Sequence, residues 1–260
     1  MILHLSDLHF GTEKQACMHA IQVFCEQHQP EAVVVSGDIT QRAKFYQFYA
    51  CKQFLDGLKR PYLVVPGNHD IPLYHIWNRV FSPFVRYQFF FGLAESVLET
   101  EHFYLVGLNS IRRRHHTKGH ISFAQIQSVA QKLRQAPKDK IKLVVVHQPF
   151  YSAPDDAHGI KDCPILGKMA LENWSQVGLN GLLHGHLHQP AVYDLNQIYA
   201  LGALHPVLDI HAGTATSYRL HRGLPNSFNV IYPNMEIEHY YFDAQAHAFL
   251  LHCDHVEKKK

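Results

Sequence analysis

Five short apolar runs constrain this chain most, because each one stops at residues that bind metals or move protons. Ile2–Leu5 runs into Ser6-Asp7-Leu8-His9, Ala32–Val35 into Ser36-Gly37-Asp38, and Leu63–Val65 into Pro66-Gly67-Asn68-His69-Asp70. Leu143–Val146 runs into His147, and Leu179–Leu183 into His184-Gly185-His186-Leu187-His188. Runs of this length and branching read as buried strands rather than helices. Between the early ones lie helical patterns, Thr12–His28 and Gln41–Leu58. Strand–helix alternation implies parallel pairing with helical crossovers. In such sheets ligands gather at the carboxyl ends of the strands. The pattern therefore predicts one sheet edge to which separate segments deliver Asp, His and Asn.

The rest of the chain changes texture. Residues 74–100 are aromatic-rich and read as helical, interrupted at Pro83. Phe103–Leu108 and Lys142–Val146 return to strand, and Ser122–Arg134 reads as a helix with Ser122 as its N-cap. Ile198–Leu201, Phe228–Tyr232, Met235–Phe242 and Ala248–His252 read as closely spaced strands, with a hairpin turn at Pro233-Asn234. This half should pair antiparallel. The expected fold is α/β, with two packed mixed β-sheets and helices outside. No linker-like stretch divides it, so residues 1–256 are expected to form one domain, followed by a solvated, disordered tail at 257–260.

Composition narrows the partners. Hydrophobic residues make up 47% and charged residues 18%, enough for a large core, and the net charge of +2 gives no bulk attraction to nucleic acid. No run approaches the roughly 18 apolar residues of a membrane span, and MILHLSDLHF does not read as a signal peptide. The 5 cysteines lack CxxC spacing, which favours free thiols and a cytoplasmic location. With 22 histidines present, only their positions carry an argument.

Asp7, His9, Asp38, Asn68, His147, His186 and His188 suffice for two ions, with Asp38 as the bridging carboxylate. Carboxylate, imidazole and amide oxygen suit Mn or Fe, and also Zn. Asp7/His9 and His186/His188 are spaced i, i+2, which in extended chain puts both side chains on one side. His184 falls outside that alternation and reads as a buried core histidine.

In order along the chain, D7-L-H9, G37-D38, G67-N68-H69-D70, H147 and G185-H186-L187-H188 resemble the motifs of the calcineurin-like metallophosphoesterase superfamily over about residues 1–190. AGTATSYR (212–219) and NSFNVIYP (226–233) are similar, more loosely, to its bacterial cyclic-nucleotide phosphodiesterase branch. The resemblance implies a four-layer α/β/β/α sandwich with a di-metal centre between the sheet edges. It also implies Asp7, His9, Asp38 and His188 around one ion, and Asp38, Asn68, His147 and His186 around the other. His147-Gln148-Pro149 departs from the relatives that carry a second histidine there, so a retuned surrounding is expected with the ligand kept.

The chemistry expected is hydrolysis of a small phosphodiester, of the cyclic-nucleotide type, by a hydroxide bridging the two ions. His69 is the candidate proton donor to the leaving group, with Asp70 orienting its ring. Arg112, Arg113 and Arg114 follow a strand of the same edge and are candidate phosphate contacts; Arg42 is a weaker one. The aromatic run from Phe81 to Phe91 is expected in the core, or as an acyl or base contact if exposed. One alternative is a pyrophosphatase acting on a nucleotide-linked sugar lipid, with peripheral membrane contact. Another is a non-catalytic scaffold that kept the fold, which should have lost some of these residues. A homodimer is compatible with the strand edges.

Overall fold

The structure, a computed structural model, describes residues 1–73, 76–220 and 223–252. In chain order the elements are β1 (Ile2–Leu5), α1 (Gln15–His28), β2 (Ala32–Val35), α2 (Phe45–Gly57), β3 (Tyr62–Val64), α3 (Ile76–Phe81), α4 (Val85–Phe91), β4 (Val97–Glu99) and β5 (Phe103–Gly107). Then come α5 (Phe123–Gln135), β6 (Ile141–Val145), α6 (Ala157–Asp162), α7 (Gly167–Ser175), β7 (Gly181–His184), β8 (Ala191–Asp194), α8 (Leu195–Tyr199), β9 (Leu208–His211), β10 (Ser227–Ile231), β11 (Ile237–Asp243) and β12 (Ala248–Leu251).

The strands form two mixed sheets, ordered β12-β11-β10-β1-β2-β3 and β4-β5-β6-β7-β9-β8. In the first, β1, β2 and β3 are parallel while β10, β11 and β12 add on antiparallel. In the second, β5, β6, β7 and β9 are parallel, with β4 and β8 antiparallel at the edges. The pleat explains why the central runs are apolar throughout. Val33 and Val35 face α1 and α2, whereas Ala32 and Val34 face the other sheet. Ile2, Leu63, Leu105, Leu143, Leu183 and Ile210 join them in the layer between the sheets. On the far side, Val106, Val144 and Leu182 pack against Ile126, Val129 and Leu133 of α5 and Trp174 of α7. The layers are therefore α/β/β/α, as expected.

The N-cap of α5 is as read. Ser122 Oγ accepts from Gln125 N at 3.2 Å, and Gln125 Oε1 accepts from Ser122 N at 3.0 Å. The turn at Pro233-Asn234 also stands, closed by Met235 N donating to Tyr232 O at 2.9 Å. Two expectations are corrected. Residues 198–201 are not a strand: Leu195–Tyr199 is a short helix capped by Asp194, whose side chain takes Asn196 N at 2.9 Å. The segment expected as helical over 74–100 holds two short helices and then β4, because Gly92 at φ 72° ends α4. Cys253 and the tail 257–260 lie outside the described residues. None of the described helices is long and apolar enough to cross a membrane.

Candidate metal centre

All five strand ends meet at one edge of the sandwich. After β1 and β2 the chain continues as two laced loops: Asp7 N donates to Gly37 O at 3.1 Å and His9 N to Asp38 O at 2.9 Å. Neither loop is extended. Asp7 (φ 51°), His9 (φ 47°), Asp38 (φ 49°), His186 (φ 67°) and His188 (φ 56°) all occupy the left-handed region. The i, i+2 spacing therefore does not act through strand alternation, as expected from sequence, but through repeated left-handed turns that aim each side chain inward. Backbone of this kind is costly for residues other than glycine and gathers at functional sites. Two glycines let the loops close on one another. A Cβ at Gly37 would overlap the His147 ring, and one at Gly185 would overlap Ser6 and Asp7.

One ligand atom each from Asp7, His9, Asp38 and His188 lies within 4.8 Å of the others. His188 Nε2 is 3.2 Å from Asp7 Oδ1, and His9 Nε2 is 3.8 Å from both Asp7 Oδ1 and Asp38 Oδ2. Next to this group, His147 Nε2 is 3.0 Å from Asn68 Oδ1 and 3.4 Å from Asp38 Oδ1. The His186 ring lies 5.1 Å from that of His147. Asp38 thus offers one oxygen to each group.

The donor set fits divalent ions on an observation internal to the chain. Asp7 Oδ1 and both ring nitrogens of His9 are fully buried with no hydrogen-bond partner. Unpartnered buried polar atoms are rare and destabilising, and a cation satisfies Asp7 Oδ1 together with one ring nitrogen of His9. The ring tautomers agree. His147 Nδ1 donates to Ser36 O at 2.8 Å, and His188 Nδ1 lies 2.7 Å from Thr214 Oγ1 and 3.3 Å from Arg219 O, which leaves Nε2 of each ring toward the centre. Burial lowers His9 to about 4 and lowers His147 as well, so both rings are in the neutral, ligating form near pH 7. Burial works against the charge on Asp38, but His147, His69, His9 and the His69 N–H outweigh it and hold the carboxyl well below its usual range.

Two supports were not legible in the motifs. Asp162, at the end of α6, takes His186 Nε2 at 2.7 Å, which leaves Nδ1 as that ring's available atom. Burial disfavours charge on His186, but Asp162, Asp38 and Asp7 together outweigh it and raise the ring's value. Gln148, which follows His147, is buried and pins the loop over 110–117. Its Oε1 accepts from Ser110 Oγ, and its Nε2 donates to Thr117 O at 3.0 Å.

The expected pairing of Asp70 with the His69 ring is corrected. Asp70 is buried and spends its oxygens on the loops, accepting from Gly67 N (2.8 Å), Ile39 N (3.0 Å), Thr40 N (2.8 Å) and Thr40 Oγ1 (2.8 Å). The His69 ring is held instead by Gln41, whose carbonyl accepts from Nδ1 at 3.0 Å. Its Nε2 faces Arg219 Nη1 at 3.4 Å and Asp38 Oδ2 at 4.0 Å.

The arginine expectation is corrected in part. Arg112 is turned away into the N-terminus of α5, on the carbonyls of Asn109 and Ile111 and on Gln125. Arg113 is bound to the Val80 carbonyl, while Arg114 is exposed. A cavity of about 200 Å³ opens beside Asn68 and His69, and its basic wall is Arg42, Arg79 and His116. Of these, sequence reading singled out only Arg42. Arg79 is anchored to Pro72 O at 3.2 Å and Arg113 O at 3.0 Å, which ties α3 to the loop over 111–120.

The sequence profile of the calcineurin-like phosphoesterase family matches residues 1–190. The chain belongs to that family. Among curated proteins, the glycerophosphodiester phosphodiesterase GpdQ of Enterobacter lignolyticus is 32% identical over 81 residues, 27% of this chain and 29% of that protein. The chain thus matches under a third of that relative's length. A protein named probable cyclic nucleotide phosphodiesterase, from Synechococcus, is 26% identical over 201 residues, 72% of this chain and 73% of its own. Among solved structures, purple acid phosphatase PPD1 from yellow lupin seeds superposes with TM-score 0.66 at 11% identity, covering 96% of this chain and 52% of that one. A dimetal phosphatase from Danio rerio gives 0.58 at 13%, covering 92% and 91%. At such identities the solved structures share the fold. Of the seven donors quoted from the motifs, Asp7, His9, Asp38 and His188 form one close group at this edge, with Asn68, His147 and His186 beside it.

Proposed function

We propose that the chain is a phosphodiesterase acting on small phosphodiesters of the cyclic-nucleotide type. Asp7, His9, Asp38 and His188 would hold one divalent ion, and Asp38, Asn68, His147 and His186 a second, with Mn or Fe preferred and Zn accepted. The observation that carries the reading is Asp38, which turns one oxygen to His9 at 3.8 Å and the other to His147 at 3.4 Å. When bound, such a pair supplies an acidified water as nucleophile and Lewis-acid polarisation of the phosphoryl oxygens.

The chain's own residues do the rest. Asn68 and His69 line the cavity, so a phosphate seated there meets His69 Nε2. Gln41 O accepts from Nδ1, so a doubly protonated His69 ring would pass its Nε2 proton to the leaving oxygen and keep the one on Nδ1. Arg42, Arg79 and His116 surround the charge of a phosphodiester, and the small volume favours a mononucleotide-sized substrate. The names of the Synechococcus relative and of a second one, from Ruthia magnifica, point the same way. A scaffold that had given up catalysis would not need to keep His69 and the whole donor set.

One observation favours a second reading, a pyrophosphatase on a nucleotide-linked sugar lipid. α3 carries Arg79 on the cavity wall and, beside it, exposed Trp77 and Phe81, stacked at 5.7 Å. Hydrolysis by chelator-stripped protein with Mn restored separates the readings. The panel is an aryl phosphodiester, an aryl phosphomonoester, cyclic AMP and a UDP-linked sugar lipid. Metal-dependent diester and cyclic AMP turnover is expected. Preference for the lipid would transfer the assignment to the second reading, and preference for the monoester would overturn both.

A further inference from the structure

A second group of metal-type donors lies on the outer face of the second sheet. Leu183 and Ile210 point between the sheets, so their neighbours His184, Asp209 and His211 point the other way. His184 pairs in register with His211 across β7 and β9, and Asp209 shares the face of His211 two residues earlier. All three are buried, and one ligand atom of each lies within 4.8 Å of the others. Asp209 Oδ1 is 3.1 Å from His184 Nε2, and Oδ2 is 3.1 Å from His211 Nε2.

Hydrogen bonding closes only half of this group. Asp209 Oδ2 and His211 Nε2 are aligned as a bond. His184 Nε2 and Asp209 Oδ1 are close but misaligned, and neither has a hydrogen-bond partner. His184 Nδ1 lies 3.3 Å from Gly185 O, a carbonyl that only accepts. His184 Nε2 and Asp209 Oδ1 thus face each other at 3.1 Å, buried and without an aligned hydrogen bond. Such a juxtaposition calls for a cation. Asp7 Oδ1 and both ring nitrogens of His9, at the centre already described, are the other unpartnered buried atoms of Asp or His among the described residues. Both places also use the same short pattern, D7-L-H9 there and D209-I-H211 here.

We propose that His184, Asp209 and His211 form a separate, structural metal site for one borderline divalent ion of the zinc type. Two imidazole nitrogens and a carboxylate oxygen are a common zinc donor set, with the fourth position left to water. Tyr193 covers the group, its ring 5.1 Å from that of His211, and Tyr151 packs on Tyr193 at 4.8 Å. The ion therefore serves packing rather than substrate. It clamps β7 to β9 directly behind the turn that presents His186 and His188.

The test uses the whole chain, stripped with chelator and titrated with Zn(II) alone. Stoichiometry comes from elemental analysis, and position from anomalous diffraction at the zinc edge. Three zinc ions per chain are expected, the third about 2.0–2.2 Å from donor atoms of His184, Asp209 and His211. His211→Gln should lose one equivalent and keep two. Asp38→Ala should keep the ion on His211 while losing others. Two equivalents at saturation, a third ion elsewhere, or three retained in His211→Gln would each overturn the site. Should His211→Gln fold poorly, the anomalous map of the unaltered chain decides alone.

Discussion

Asp38 Oδ1 accepts the main-chain N–H of His69 at 2.8 Å. The carboxylate between the two donor groups is thereby aligned by the residue proposed to protonate the leaving group. Asp38→Ala should remove both functions. Metal content should fall below two ions per chain, and turnover should drop by at least ~100-fold, the scale on which even the partners of metal ligands matter. Full metal content in this variant would remove the bridging assignment.

His69→Ala should behave differently. Its ring is held by Gln41 O rather than by any of the donor groups, so the metal complement should stay intact. Turnover of diesters with poor leaving groups should fall about 10²–10⁴-fold, the usual contribution of a positioned acid, while an activated aryl diester should lose far less. Equal losses on both substrates would speak against proton donation.

Asp70→Asn should act on stability. The carboxylate collects donors from Gly67, Ile39 and Thr40, and an amide can accept at only one of its two positions. Urea unfolding of the metal-free protein should show a loss of about 1–3 kcal/mol, the cost of buried donors left unpaired. Unchanged stability with abolished turnover would return Asp70 to a catalytic role.

Arg112 and Arg42 should separate cleanly. Arg112→Ala removes a guanidinium bound to main-chain carbonyls, so the melting temperature should fall while KM holds. Arg42→Ala removes a cation from the cavity wall, so KM for a diester should rise about 10-fold, the scale of a charge-assisted hydrogen bond. A KM effect from Arg112 and none from Arg42 would reverse the assignment.

Glu31 gives a pH dependence far from the metal centre. It accepts from the Met1 amine at 3.0 Å, Thr100 Oγ1 at 2.9 Å, His102 N at 3.0 Å and His102 Nδ1 at 2.9 Å. Burial alone would raise its carboxyl, but these donors prevail and bring it down from 4.5 to about 2. The folded value is the lower one, so its stabilisation is complete above 4.5 and is lost as pH falls toward 2. Glu31→Gln should cost about 1–2 kcal/mol at pH 7 and progressively less below pH 4.5, measured by urea unfolding across that range. A penalty that does not change with pH would show that shape, not charge, matters there.

The order of the chain determined the layers and the edge. Short branched runs such as Ala32–Val35 are buried on both faces wherever they pair, and their polar followers have one place to go. The seven metal-type donors were legible for that reason, each sitting directly behind an apolar run. The partners that orient them were not: Thr214, Arg219 and Asp162 come from segments distant in the chain, and Gln41 acts through a main-chain carbonyl that any residue carries. Nor could the sequence distinguish Arg112, which donates to Gln125 in the first turn of α5, from Arg79, which lines the cavity. His184 read correctly as a buried residue, but its meaning lay in the strand beside it. Local pattern decides which residues face inward. Only the pairing of β7 with β9 decides that His184 meets Asp209 and His211 there, with a carboxylate and a ring left facing each other unpaired.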